Sequence, residues 1–154
     1  APILKAGLLC GMANKKDGLK RQLDRLYRTF DMEFLSTDPL EFVHKYKTPQ
    51  DREIVGLVSS SLAYGRVDTI KKSVGRVLSV MGKSPYRFTL SFDPERDCPL
   101  FKGFVHRFNR DKDICSLIYF AKQMIKESGS IGRFFLKGYS AEHKNVKEAL
   151  TSFS

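Results

Sequence analysis

One stretch constrains the fold more than any other. It runs from Thr48 to Met81 and reads TPQDREIVGLVSSSLAYGRVDTIKKSVGRVLSVM. Thr48 is suited to cap a helix, because its hydroxyl can accept from an orphan amide of the first turn. Pro49 follows at the first helical position, where its missing N–H costs nothing. Asp51 and Glu53 put negative charge near the positive helix end. Ile54, Val55, Leu57, Val58 and Leu62 recur at helical spacing, so one face is apolar. Ser59, Ser60, Ser61 and Ala63 are small enough for another helix backbone to approach closely. Tyr64-Gly65-Arg66 then interrupts the pattern, with Gly65 free to take a left-handed conformation. A second apolar set follows in Val67, Ile70, Val74, Val77, Leu78 and Met81, with Arg66, Lys71, Lys72 and Arg76 on its polar side. The expected product is a helical hairpin with one basic outer face and a core of Ile54, Val58, Leu62, Ile70, Val74 and Val77.

The flanking sequence is helical as well. Leu19, Leu23, Leu26, Tyr27 and Phe30 fall on one face of an amphipathic helix from Asp17 to Phe30. Ser36-Thr37-Asp38-Pro39 stops one helix and starts a short one through Leu40, Phe42 and Val43 to Tyr46. Gly82-Lys83-Ser84-Pro85 does the same ahead of Tyr86, Phe88 and Leu90. Residues 93–99 are turn chemistry. Phe101 to Asn109 is expected to be helical or irregular, with at most a vestigial strand, since no other segment offers a strand to pair with it. Asp111 or Asp113 caps a long helix buried through Ile114, Leu117, Ile118, Ala121, Met124 and Ile125. Gly129 ends that helix, and Ser130 caps a short one through Ile131, Phe134, Phe135 and Leu136. A last helix is expected from about Ala141, with Val146, Ala149, Leu150 and Phe153. The fold class is therefore all-α, a multi-helix bundle around the central hairpin. Residues 1–16 read as a disordered or non-native extension, and 17–154 as a single helical domain expected to be truncated at its C-terminal end.

Composition narrows the function classes. The formal net charge is +10 for 154 residues, which suits nucleic acid, anionic lipid or an acidic protein. Residues 61–90 carry six Lys or Arg against one acid, whereas residues 31–60 carry three against six. No apolar run approaches the roughly 20 residues of a membrane span. Cys10, Cys98 and Cys115 are odd in number and far apart, which fits neither a zinc site nor a disulfide framework. Cys115 reads as a small core residue, and a reducing cytoplasm is the expected compartment.

Two segments carry candidate binding chemistry. The turn Tyr64-Gly65-Arg66 exposes backbone amides and a guanidinium whose planar fork can grip a phosphate. It can equally be a helix end with Tyr64 packed and Arg66 in water. His106-Arg107-Phe108-Asn109-Arg110 combines phosphate-binding Arg, an Asn able to read adenine edges and an aromatic able to stack on an unpaired base. The structural alternative is a loop with Phe104, Val105 and Phe108 in the core. With Lys71 these residues form the expected nucleic-acid surface: Tyr64, Gly65, Arg66, Lys71, His106, Arg107, Asn109 and Arg110. Asp51-Arg52-Glu53 is better read as acids at a helix start than as a catalytic pair. His44, His106 and His143 lack metal-ligand spacing. No catalytic residue, metal site or cofactor site is expected.

The runs DREIVGLVSSSLAYGRV, FLSTDPLEFVHKYKTPQDRE and GFVHRFNRDKDICSLIYF closely resemble an uncharacterised bacterial family, domain of unknown function 2400. The resemblance covers the chain from about Leu19 to Phe153. In addition, the apolar helix, small-residue patch, short turn and second helix are similar to the opening of helix-hairpin-helix DNA glycosylases. That resemblance implies a fragment of a larger glycosylase-like domain that binds DNA but does not excise bases by itself, because no Gly-rich hairpin followed by an aspartate word occurs. The alternatives are a non-enzymatic helical interaction module whose basic face meets an acidic protein, and an enzyme acting on a phosphorylated metabolite.

Overall fold

The computed structural model describes residues 17–30, Leu35 and residues 38–153. The expected extension over 1–16 and the capping residues Ser36 and Thr37 lie outside the described residues. The chain divides into two compact units, Ala1–Ser36 and Thr37–Ser154. The first contains α1, helical over residues 17–29. Leu19, Leu23 and Leu26 form the expected apolar stripe, and each is more than half exposed.

The second unit is all-α apart from one small hairpin. Its helices are α2 (Leu40–His44), α3 (Pro49–Ser61), α4 (Val67–Met81), α5 (Pro85–Ser91), α6 (Pro94–Asp97), α7 (Asp111–Ser128), α8 (Ile131–Leu136) and α9 (Lys147–Phe153). A 3-10 turn spans Cys98–Phe101, and the two-residue strands β1 (Val105–His106) and β2 (Asn109–Arg110) pair antiparallel.

The central helical hairpin forms as its periodicity requires. Ile54, Val58, Leu62, Ile70, Val74 and Val77 are all buried, at 0–4% exposure. Phe92, Phe101 and Phe104 complete the core together with Ile114 and Ile118 from α7. On the other flank α2 sets Phe42 over Gly75, and its Glu41 binds Lys71 at 3.0 Å.

The acids at the start of α3 reach further than their own helix. The Thr48 hydroxyl accepts from the Asp51 amide at 3.2 Å and donates to the Asp51 carboxylate at 2.6 Å. The other Asp51 oxygen accepts from the Ser84 hydroxyl at 2.9 Å and the Tyr86 amide at 3.0 Å, which pins α3 to the start of α5. Burial pushes the Asp51 carboxyl up, but the hydrogen bonds from Thr48, the Tyr86 amide and Ser84 outweigh it and hold it below the usual carboxylate range. Glu53 accepts from the Ile131 and Gly132 amides at 3.2 and 2.9 Å, so an acid of α3 caps α8.

Gly129, left-handed at φ 82°, ends α7, and the Ser130 hydroxyl caps α8 by accepting from the Arg133 amide at 3.0 Å. The last helix begins at Lys147, not near Ala141. It packs through buried Ala149 and half-buried Phe153, the latter ring lying 6.1 and 5.7 Å from Phe134 and Phe135. Val146 and Leu150 face outward. The six residues before Lys147 carry too little apolar surface to hold a helix against the bundle.

One further expectation is corrected by the packing. Cys98 and Cys115 form a disulfide with Cα atoms 5.7 Å apart. Their spacing gives no framework signal; they meet because the 3-10 turn packs on α7. Segment 101–110 is irregular with a vestigial strand, as expected, and the strand's partner lies within the segment, which folds back over Arg107 and Phe108.

Candidate functional site

The β-hairpin owes its place to a few polar contacts with α4 and with the turn before it. Side chains alternate across a strand, so Phe104 and His106 point inward while Val105 and Arg107 point out. His106 is 1% exposed. Its Nδ1 lies 2.8 Å from the Ser73 hydroxyl of α4, and its Nε2 lies 3.2 Å from the Tyr64 carbonyl. A carbonyl can only accept, which puts the ring proton on Nε2. Tyr64 returns the contact: its hydroxyl donates to the His106 carbonyl at 3.1 Å, and the two rings meet edge to face at 4.9 Å. Each side chain thus holds the other's backbone across 42 positions of sequence.

A second clamp lies further along α4. Arg76 donates to the carbonyls of Gly103 and Lys102, both at 3.0 Å, and its guanidinium sits 5.7 Å from the Phe104 ring centre. Asp111 accepts from the Gly103 amide at 3.3 Å, and Asp113 from the Arg110 amide at 2.6 Å. The nearby acids are therefore turned toward backbone amides.

The clasp brings two expected segments together. Gly65 has φ 110°, and a Cβ there would lie 2.5 Å from Arg107 Nε. The Arg107 guanidinium rests on the bare backbone of the Tyr64-Gly65-Arg66 turn, in a place only glycine leaves open. Arg107 itself has φ 53°, the left-handed region that side chains avoid. Strain of this kind costs on the order of 1 kcal/mol or more and persists only where its surroundings impose it. Next to it Phe108 is 86% exposed at the hairpin tip. Arg66 and Arg110 are exposed, and Asn109 is half-buried.

Other expectations change. His106 is placed inside the molecule, where it positions the hairpin and cannot touch a ligand outside. Lys71 lies elsewhere: it is about 160° around α4 from Ser73, the residue facing the hairpin, and it reaches Glu41. Lys71 is thereby drawn to an acid, while Arg76 stays exposed with its donors committed to backbone carbonyls. Phe108 is in solvent and not in the core, and Val105 is half-exposed. The sequence reading missed Ser73 and Arg76 as positioning residues. Phe104, Val105, His106 and Arg107 are two apolar residues followed by two polar ones, so their inward–outward alternation has no signal in the sequence.

No group of His, Cys, Asp or Glu able to hold a metal occurs among the described residues, and no helix among them is long and apolar enough to cross a membrane. The chain belongs to the family described as "Protein of unknown function (DUF2400)", which it matches over residues 38–154. No curated protein and no solved structure matches it, so the likeness to helix-hairpin-helix glycosylases has no counterpart in these comparisons.

Proposed function

We propose that this member of the DUF2400 family binds nucleic acid, without catalysis by this chain alone, through the surface where the Tyr64–Arg66 turn meets the Arg107–Phe108 hairpin. The observation that carries the reading is the seating of Arg107 on Gly65 beside Arg66, with an exposed aromatic one residue away. Guanidinium groups recognise phosphate by paired donation, and an exposed ring offers a face to an unpaired base. Arg110 and Asn109 extend the same edge. DNA is the ligand that the glycosylase resemblance implies, and the cytoplasm is the compartment the reading assumes.

The test is a charge-reversal pair, Arg66→Glu with Arg107→Glu, titrated against duplex and single-stranded DNA over a range of salt. Loss of two phosphate contacts should lower the log–log salt slope by about 2 and weaken binding at least about tenfold. Phe108→Ala should cost about 1–3 kcal/mol on single-stranded DNA, from lost stacking, and far less on duplex. Unchanged affinity and slope in the charge-reversal protein refute the reading.

A second reading has its own support. A groove of about 410 Å³ between α2, α3 and α4 is lined by Leu40, Val43, Gly56, Ser59, Ala63 and Val67. The Ser59 hydroxyl is buried there without a hydrogen-bond partner. A helical interaction module would use this face, and its binding would lack the steep salt dependence of counterion release.

A further inference from the structure

One pocket opens on the disulfide and not on the surface discussed above. It has a volume of about 570 Å³ and is lined by Cys98, Lys102, Asp111, Lys112, Cys115 and Ser116. Lys102 and Lys112 are exposed at its rim. The Asp111 carboxylate is occupied by the backbone amides of Gly103 and Lys112, at 3.3 and 2.9 Å. Two lysines against the one carboxylate of Asp111 leave the lining with a net positive charge, and the Ser116 hydroxyl adds a hydrogen-bonding group. The two sulfurs differ in access. Cys115 is buried on α7, while Cys98 is only partly buried, at the start of the 3-10 turn.

We propose that this pocket is a thiol-exchange site, in which a small anionic thiol of the glutathione class docks by its carboxylates on Lys102 and Lys112 and exchanges with the disulfide at Cys98. The incoming thiolate attacks Cys98 Sγ. A bond forms between the small-molecule sulfur and Cys98, the Cys98–Cys115 bond breaks, and its electron pair leaves on Cys115 as thiolate, which takes a proton from solvent. A second small thiolate then attacks the small-molecule sulfur of the mixed disulfide and releases Cys98. Two equivalents of the thiol are oxidised to one disulfide, and the protein disulfide is reduced to two thiols. The lysines attract the anionic reagent and favour the developing thiolate. The consequence for the fold is direct, because the 17-residue separation bridged by the pair contains the whole β-hairpin. Opening it removes one of the constraints on Arg107 and Phe108.

The experiment uses the full chain carrying Cys10→Ser, so that only the pair can react. Glutathione, neutral 2-mercaptoethanol and cationic cysteamine are compared at matched thiolate concentration, and the mixed disulfide is located by peptide mass. The expected result is an adduct on Cys98, formed about tenfold faster with glutathione than with cysteamine, the lower end of electrostatic steering. Lys102→Glu with Lys112→Glu should abolish or reverse that order. Trypsin cleavage after Arg107 should accelerate once the pair is reduced. An adduct on Cys115, rates independent of reagent charge, or no exchange at all would overturn the proposal. No nucleic acid enters the assay, so its outcome is separate from that of the binding test.

Discussion

The helical hairpin α3–α4 and the β-hairpin β1–β2 both reverse the chain within a few residues, and they are held by different forces. The helical hairpin closes on apolar side chains from both helices, with Ile54, Val58, Leu62, Ile70, Val74 and Val77 out of water. The β-hairpin has four strand residues and buries one of their side chains, that of His106. It is held by directional bonds: His106 to Ser73 and Tyr64, Tyr64 to His106, Asp113 to Arg110, and Arg76 to the turn just before it. Burial is non-directional and fixes a scaffold. Hydrogen bonds fix an orientation, and the β-hairpin needs one, because its tip seats Arg107 on Gly65 and carries Phe108 into solvent.

The comparison breaks most sharply at Val58. Val58→Asp puts an unpaired charge in the apolar seam and should cost on the order of 4 kcal/mol or more. Urea unfolding followed by circular dichroism measures it, and a midpoint close to wild type would mean that the helical hairpin is not held as described. His106→Ala is the matching test on the polar side. It leaves the Ser73 hydroxyl and the Tyr64 carbonyl without their buried partner and should cost about 1–3 kcal/mol. Far-UV circular dichroism should stay unchanged, while amide exchange rises around Arg110. Exchange rising equally throughout α3 and α4 would show the two hairpins to be one cooperative unit.

Asp51 sharpens the comparison, because it is the polar staple of the otherwise apolar hairpin. Its carboxyl lies below the ordinary value of 3.8 in the folded protein. The stability it contributes is therefore complete above the unfolded value and is lost as pH falls through the lower folded value. Between about pH 5 and pH 3 the stability of Asp51→Asn should decline less steeply than that of wild type, with Asp97 and Glu41, both also held low, keeping part of the slope. Parallel curves would remove Asp51 from the account. The smallest expected effect is at Arg107. Arg107→Gly relieves the left-handed backbone and should raise stability by about 0.5 kcal/mol while weakening nucleic-acid binding. A gain in stability with binding intact would separate the strain from the function proposed for it.

Periodic burial is a local property of sequence, and it was legible. The positions of α3 and α4, their six core residues, the Thr48 and Ser130 caps and the break at Gly65 follow from apolar spacing and from residues with one evident conformational use. The all-α class follows with them. Other features depended on partners distant in sequence. Glu53 reads as a dipole acid until α8 brings its amides to it. Lys71 reads as a surface cation until α2 brings Glu41. Cys98 and Cys115 show no framework spacing until the 3-10 turn lies on α7. His106 reads as an exposed ligand because a histidine between valine and arginine carries no mark of burial. Ser73 supplies that mark from 33 positions away. Hydrogen bonds and disulfides need two groups at bonding distance in a fixed direction, and one-dimensional spacing does not encode that. The sequence by itself determined which faces must leave water; the tertiary structure alone decided which polar groups would meet, and so which arginines face outward together.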